Sequence, residues 1–447
     1  MFGRLRHPLS AVAVTMALTL PWLFIWATDS THSLGHLQTV AVSGVAVLGA
    51  SFMLAWAAET AEEDVPRAFA LAVLAVLAVA PEYAVDALYA WTAGANAGTP
   101  RGAEAANLAV ANMTGANRIL IGLGWSAIAL FTVYRAGSAR DPAVNKESGF
   151  LKGNVELDRD IATEIAFLLA ATAFAFFVPF GGGIGMVDTV VLVGLYMTYI
   201  AIIIRGDVEE TEEQVGVPAY FQSYSKGPRI ASILFLFGYS GFMIYSAVHP
   251  FAHGLEALGQ SIGIPAFFMI QWIAPLASES PELIVVAYLV NKARSTAGFN
   301  ALISSKLNQW TLLIGTLAVV YSIAAGDIGA LPFDEKQRAE IWITAAQSFF
   351  AIAILTNFEI SVREAIGLLV LFASQIIAEF YVIQTMADAQ AHEISLLILY
   401  AYTVVYLVLG AILFVQRRGE VRALFGRTVS NARDAMGGQS GRPEHAD

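Results

Sequence analysis

Ser278-Glu279-Ser280-Pro281-Glu282 places two carboxylates and a proline inside an otherwise apolar run from about Ile264 to Leu289. An ionised side chain at bilayer depth is costly, so it reads first as part of an ion or proton pathway. Proline has no backbone N–H to donate and clashes with the carbonyl four residues earlier, here Ala277, which predicts a broken or kinked helix beside Glu282. Such a break is tolerated at membrane depth where the freed backbone is buried or lines a wet cavity. Far upstream, Ala80-Pro81-Glu82 repeats the arrangement inside a second long apolar run. Two copies predict an internal repeat.

Composition supplies the solvent in which these runs fold. Of 447 residues, 57% are hydrophobic and 14% charged, against roughly 25% charged in an average globular protein. The chain therefore reads as an all-α polytopic membrane protein, bound to a lipid bilayer. The net charge of -11 argues against nucleic-acid binding, and the absence of cysteine excludes disulfides, thiolate metal sites and cysteine nucleophiles.

Apolar runs of about 20 residues predict twelve spans, near 9–28, 37–58, 66–91, 105–134, 160–180, 184–205, 229–250, 262–290, 299–325, 337–356, 364–385 and 394–416. The first ends in Trp-Ala-Thr-Asp and reads as a retained helix rather than a signal peptide. With the N-terminus inside, Arg67, Arg135, Arg140, Lys146, Arg205, Lys292 and the basic tail from Arg417 share one side, while Arg101, Lys336 and Arg338 fall on the other. This asymmetry predicts both termini in the cytoplasm, and so a multi-pass protein of the inner membrane.

The predicted organisation is an extra helix over 1–36, a first repeat over 37–205, an acidic cytoplasmic linker over 206–228, a second repeat over 229–385, another extra helix over 386–428 and a disordered tail over 429–447. Asp207 to Glu213 reads as a solvated charge run rather than a cation sensor.

Self-similarity sharpens the repeat. The first unit passes through Val79-Ala80-Pro81-Glu82 to Ala111-Asn112-Met113-Thr114-Gly115-Ala116-Asn117-Arg118 and Ile121-Gly122. The second passes through the opening motif to Ser304-Ser305-Lys306-Leu307-Asn308-Gln309-Trp310 and Ile314-Gly315. The two Pro-Glu helices are the third and eighth spans, an odd number of crossings apart, so the units are inverted. Inverted repeats with broken helices meeting near the midplane are a recurrent plan of secondary transporters.

On these motifs the chain resembles the cation/calcium exchanger family, as a divergent member of prokaryotic type. The family's membrane region carries two inverted alpha-repeats, each with a Gly-Thr-Ser-x-Pro-Glu helix followed by a Gly-Asn-x-x-Gly-Ser-Asn helix. Ala277-Ser278-Glu279-Ser280-Pro281-Glu282-Leu283 is similar to the first motif, and Asn112, Gly115 and Asn117 match the second. Ala78 and Val79 depart from the first motif by lacking hydroxyls, and Glu279 takes its Ser position. Two registers of the second Asn-type helix stay open. Anchoring on Ile-Gly pairs Ser305 with Asn112 and Trp310 with Asn117; anchoring on Asn pairs Asn308 with Asn117.

The resemblance covers ten spans, 37–385. It implies a secondary active antiporter exchanging Ca2+ or another divalent cation for Na+ or H+ by alternating access, with no cofactor and with inorganic cations as its partners. A monovalent Na+/H+ exchanger is the alternative. Hard cations take oxygen ligands, and the chain offers Glu82 and Glu282 as central carboxylates, Asn112, Asn117 and Asn308 as amides, and Ser278 and Ser305 as hydroxyls. The carbonyls of Leu77 and Ala277, freed by the prolines, are further candidates.

Glu279 and Glu282 are three apart and Glu82 and Asp86 four apart, so each pair shares a face on a continuous helix. If these four met Arg118 and Lys306 in one cavity, the sum would be two negative charges, matching one Ca2+ or two monovalent ions. Arg118 and Lys306 would then stand in for monovalent ions as charge-compensating groups. The alternative is that they snorkel or pair with a carboxylate structurally. Competition between proton and cation for Glu82 or Glu282 is a second coupling route.

Other readings are weaker. His249 and His253 with Glu256 have partial zinc spacing, but Pro250 interrupts them and they read as interfacial. Glu379 is deep enough for a proton relay. An intramembrane enzyme finds no nucleophile and base set or phosphate loop, and a channel would be built from symmetric rings.

Overall fold

The computed structural model describes residues 7–65, 80–135, 141–146, 150–205 and 215–437. Among these residues, eleven helices are long and apolar enough to cross a membrane. They are α1 (Pro8–Ala27), α2 (His36–Ala61), α4 (Pro100–Arg135), α5 (Ala162–Ala175, extended by 3-10 turns to Arg159–Gly181), α6 (Met186–Arg205), α8 (Lys226–Ser261), α9 (Ala266–Asn291), α10 (Ser295–Ala325), α11 (Glu335–Leu355), α12 (Val362–Thr385) and α13 (Asp388–Gln416). A further helix, α3 (Ala80–Ala95), carries the first Pro-Glu pair. The earlier part of its expected span, with Leu77, Ala78 and Val79, lies outside the described residues, as does the acidic segment 207–213.

Local chemistry sets the helix ends. Thr99 caps α4 by accepting from Gly102 N at 3.2 Å, with Pro100 in the first turn. Asp334 caps α11 by accepting from Gln337 N at 2.9 Å, and Ser361 with Glu364 forms a capping box for α12. Gly326 ends α10 at φ 74°, a left-handed conformation that glycine adopts without a Cβ penalty.

The packing is reciprocal between the two units. α3 of the first packs on α10 of the second, and α9 of the second packs on α4 of the first; α6 meets α10 as α12 meets α4. The equivalent pairs α2 with α8, and α5 with α11, also pack on each other. Such mutual exchange of surfaces is the mark of a two-fold relation. With an odd number of crossings between equivalents, the axis lies in the membrane plane and the units are inverted. α1 and α13 are the additional helices.

Both long third helices widen into a π-turn, α4 over Leu120–Trp125 and α10 over Gln309–Leu313. Such bulges re-aim side chains and recur at functional sites. The first follows the Asn-type motif of its unit, and the second begins within its motif, at Gln309.

Two expectations change. α9 is not broken at Pro281; it runs unbroken through Pro275 and Pro281. Ser280 Oγ, next to Pro281, donates back to the Leu276 carbonyl one turn earlier. The Gln271 carbonyl, which Pro275 cannot serve, instead abuts Gly115 of α4, where a Cβ would lie 1.8 Å from that oxygen. Residues 429–437, expected to be disordered, continue the helix α14 (Arg418–Gly437). The linker holds a short helix, α7 (Val217–Gln222), packed on α1 and α2.

Small strands tie the loops. β1 (Val144–Lys146), β2 (Gly153–Glu156) and β5 (Glu359–Ser361) form one antiparallel sheet, with Val155 opposite Ile360, and β3 (Gly183–Ile184) pairs with β4 (Leu331–Pro332).

Candidate functional site

Glu82 from α3 and Glu282 from α9 both line one cavity of about 300 Å³, together with Ser278, Glu279, Ser305 and Asn308. Glu59 and Glu62 at the end of α2 also line it, so the cavity leads from the paired Pro-Glu motifs toward that end of α2. Carboxylates from both inverted units thus share one space.

Each carboxylate is held by neutral donors. Asn112 Nδ2 bridges Glu82 Oε1 at 3.1 Å and Asp86 Oδ1 at 2.9 Å. Ser278 Oγ donates to Glu82 Oε2, joining α9 to α3 across the units. Ser305 Oγ donates to Glu282 Oε2 at 2.9 Å, and Gln309 Nε2 to Glu279 Oε1 at 2.6 Å. Tyr83 Oη donates to Asn308 Oδ1 at 2.9 Å. Burial without such partners would be prohibitive, because an unpaired polar group in a low-dielectric interior keeps its full desolvation cost.

The contacts decide the open register. Ser305 serves Glu282 as Asn112 serves Glu82, which is the pairing given by anchoring on Ile-Gly. Trp310 then takes the place of Asn117, and Lys306 Nζ lies 4.3 Å from the Trp310 ring centroid.

The acceptors are in excess. Asp86 Oδ2, Asn112 Oδ1 and Gln309 Oε1 are buried and receive no hydrogen bond. Buried polar atoms are normally satisfied, and oxygens left over beside carboxylates are the donor set of a hard cation. Asp86 and Asn112 are fully buried and stand behind Glu82 rather than on the cavity wall. Among the described residues, no three His, Asp or Glu side chains converge as a closed metal cage. Seating a cation therefore requires turning the neutral donors away.

The two bases do not meet the carboxylates in one cavity as the charge count supposed. Arg118 is turned out of the cavity into a second buried network. Its Nη1 pairs with Glu340 Oε2 at 2.8 Å, with neither side chain exposed. Its Nε donates to Gln347 Oε1 at 3.3 Å and its Nη2 to Gln375 Oε1. Gln375 donates in turn to Glu379 at 2.8 Å, and Glu379 pairs with Lys336 at 2.7 Å. Two acids and two bases make this network neutral, so Glu379 serves charge balance there. Lys306 is fully buried, donates to Asn117 Oδ1 at 2.7 Å and lies within electrostatic reach of Glu279. Asn117 is thus a partner of Lys306 and does not line the cavity.

Sequence reading passed over Gln309, Tyr83 and Glu340. Gln309 stood inside the quoted motif, one residue from a candidate ligand, and Tyr83 follows Glu82 directly. Glu340 gave no local signal, because its partner is 222 positions away.

Comparison with known proteins agrees with this geometry. A family model described as sodium/calcium exchanger protein matches residues 35–205 and 232–381, the two inverted units. A crystal structure of an H+/Ca2+ exchanger, CAX, is 42% identical over 95% of this chain and 98% of its own, with a TM-score of 0.82. A structure of the Ca2+/H+ antiporter protein YfkE, 14% identical, covers 82% of this chain and 98% of its own at a TM-score of 0.58, and shares the fold. No curated protein sequence matches the chain. The chain belongs to the sodium/calcium exchanger protein family.

Proposed function

We propose that the protein is an antiporter of the cytoplasmic membrane, with both termini in the cytoplasm, that exchanges Ca2+ for protons at the site between its inverted units. The observation that carries this reading is the acceptor-rich cavity wall: Glu82 and Glu282 from opposite units, backed by Asp86, Asn112 and Gln309 oxygens that no donor serves. Ca2+ takes six to eight oxygen ligands in flexible geometry. Ser278 and Ser305 hydroxyls can rotate from donating to the carboxylates to accepting the ion.

Charge gives the coupling. Glu82, Asp86, Glu279 and Glu282 against Lys306 leave three negative charges when all ionise. Arg118 does not enter the sum, because Glu340 neutralises it. Bound Ca2+ cancels two charges. The vacated site must replace them before the units can move past each other in a low-dielectric surround, and protons on carboxylates do this without extra ligands. The relation to an H+/Ca2+ exchanger over nearly the whole chain supports the proton as counter-ion.

The test is Ca2+ uptake by purified protein in proteoliposomes under an imposed pH gradient or an imposed Na+ gradient. A pH gradient driving Ca2+ is the expected result. Uptake driven by Na+ alone would overturn the proton assignment, and uptake under neither would overturn Ca2+ antiport.

A further inference from the structure

The cavity leads toward the end of α2 that carries Glu59 and Glu62, which makes the other side of the site the closed one. Glycine contacts identify that side. A Cβ on Gly254 of α8 would lie 3.0 Å from Val40, and one on Gly44 of α2 would lie 2.8 Å from Phe251. The region of α8 around Gly254 is therefore level with the start of α2, some twenty residues or about 30 Å of helix from the mouth.

A polar contact between the units lies at this level. Tyr89 Oη of α3 donates to Glu256 Oε1 of α8 at 2.7 Å. Tyr89 is 3% exposed, and its position on α3, two turns beyond Glu82, puts it between the carboxylates and the closed end. The other oxygen of Glu256 faces His253 Nδ1 at 3.4 Å, and His253 packs edge-on against His249 with centroids 4.4 Å apart. Arg101 and Glu104 of α4 add charges around this group.

We propose that Tyr89 and Glu256 form a latch holding this side of the site shut, and that parting them is a step of the transport cycle. α3 carries a central carboxylate and α8 leads the opposite unit, so separating the helices at this level opens the route that the present packing closes. Glu256 is fixed from a second direction by His253, which aims it at the Tyr89 hydroxyl. Tyr89 and Glu256 act through the position of α8 and touch no ion. The inference rests on the antiport reading only in requiring that the two sides open in turn.

The cysteine-free chain allows a test that needs no transported ion. Two single reporters are introduced into the full-length protein in detergent: Ala252→Cys, 1% exposed on α8 one turn before Glu256, and Ala55→Cys, on the cavity wall. Each is labelled with a water-soluble maleimide. Tyr89→Phe should raise the labelling rate at Ala252→Cys roughly tenfold, the equilibrium factor of a hydrogen bond to a charged acceptor. The rate at Ala55→Cys should not rise. Glu256→Ala should match Tyr89→Phe, the double variant should add little to either, and Glu256→Gln, which keeps an acceptor for the hydroxyl but loses its charge, should fall between the parent and Glu256→Ala. A parental rate at Ala252→Cys in Tyr89→Phe would overturn the latch. So would equal rises at both reporters, which mark general loosening. If Ca2+ antiport itself were wrong, the flux test would fail while the labelling pattern could still hold.

Discussion

Replacing Arg118 with methionine should cost about 3–5 kcal/mol, the penalty for leaving one member of a buried ion pair without its partner. The figure belongs at the upper end of that range, because Glu340 and Arg118 are both fully buried and the acceptor oxygens of Gln347 and Gln375 lose their donor as well. Each stranded acceptor carries about 1–3 kcal/mol unless its amide turns. Adding Glu340→Gln removes the stranded charge and should bring the double variant back to within about 1–2 kcal/mol of the parent. Denaturant unfolding of the four proteins in one detergent provides the cycle. Proton-to-calcium stoichiometry in proteoliposomes provides the functional reading, which should be parental in the double variant because Arg118 has no part in the cavity's charge. If the losses from the two single substitutions simply add, or if stoichiometry shifts in a stable double variant, Arg118 acts at the ion site and the neutral-network account is wrong.

Gly115→Ala should force α4 from α9, since its Cβ would sit 1.8 Å from the Gln271 carbonyl oxygen; overpacking of about 1–3 kcal/mol should appear in a thermal melt together with reduced flux. Ser305→Ala removes one donor from Glu282 and should change apparent Ca2+ affinity by about tenfold or less, measured from flux against Ca2+ concentration. Arg229 holds the Asp64 carboxyl below its ordinary 3.8, so the tie between α2 and the start of α8 is complete above that pH and is lost as pH falls through the lowered value. The melting temperature of Asp64→Asn should accordingly show a shallower fall below pH 4 than that of the parent.

Much of the fold was legible because a bilayer leaves few options: backbone groups must be satisfied within each segment, so long apolar runs read directly as helices. The paired Pro-Glu motifs and their odd separation were enough to predict inversion. The register of the second Asn-type helix was not legible, since Ser305 and Asn308 both offer oxygen and only the bond to Glu282 separates them. Arg118 shows the same limit. Its place one residue after Asn117 suggested the ion cavity, yet successive residues on a helix face different directions, and its partner Glu340 comes from α11. The unbroken α9 was not legible either, since Pro281 removes one N–H from the ladder and the helix continues on both sides of it.

The most direct test of the central claim is Ca2+ flux in proteoliposomes carrying Glu82→Gln or Glu282→Gln, each checked for folding by its thermal melt. With one carboxylate from each inverted unit holding the ion, either substitution should abolish exchange at saturating Ca2+ while the fold is retained. Full flux in either variant would contradict a shared site between the units.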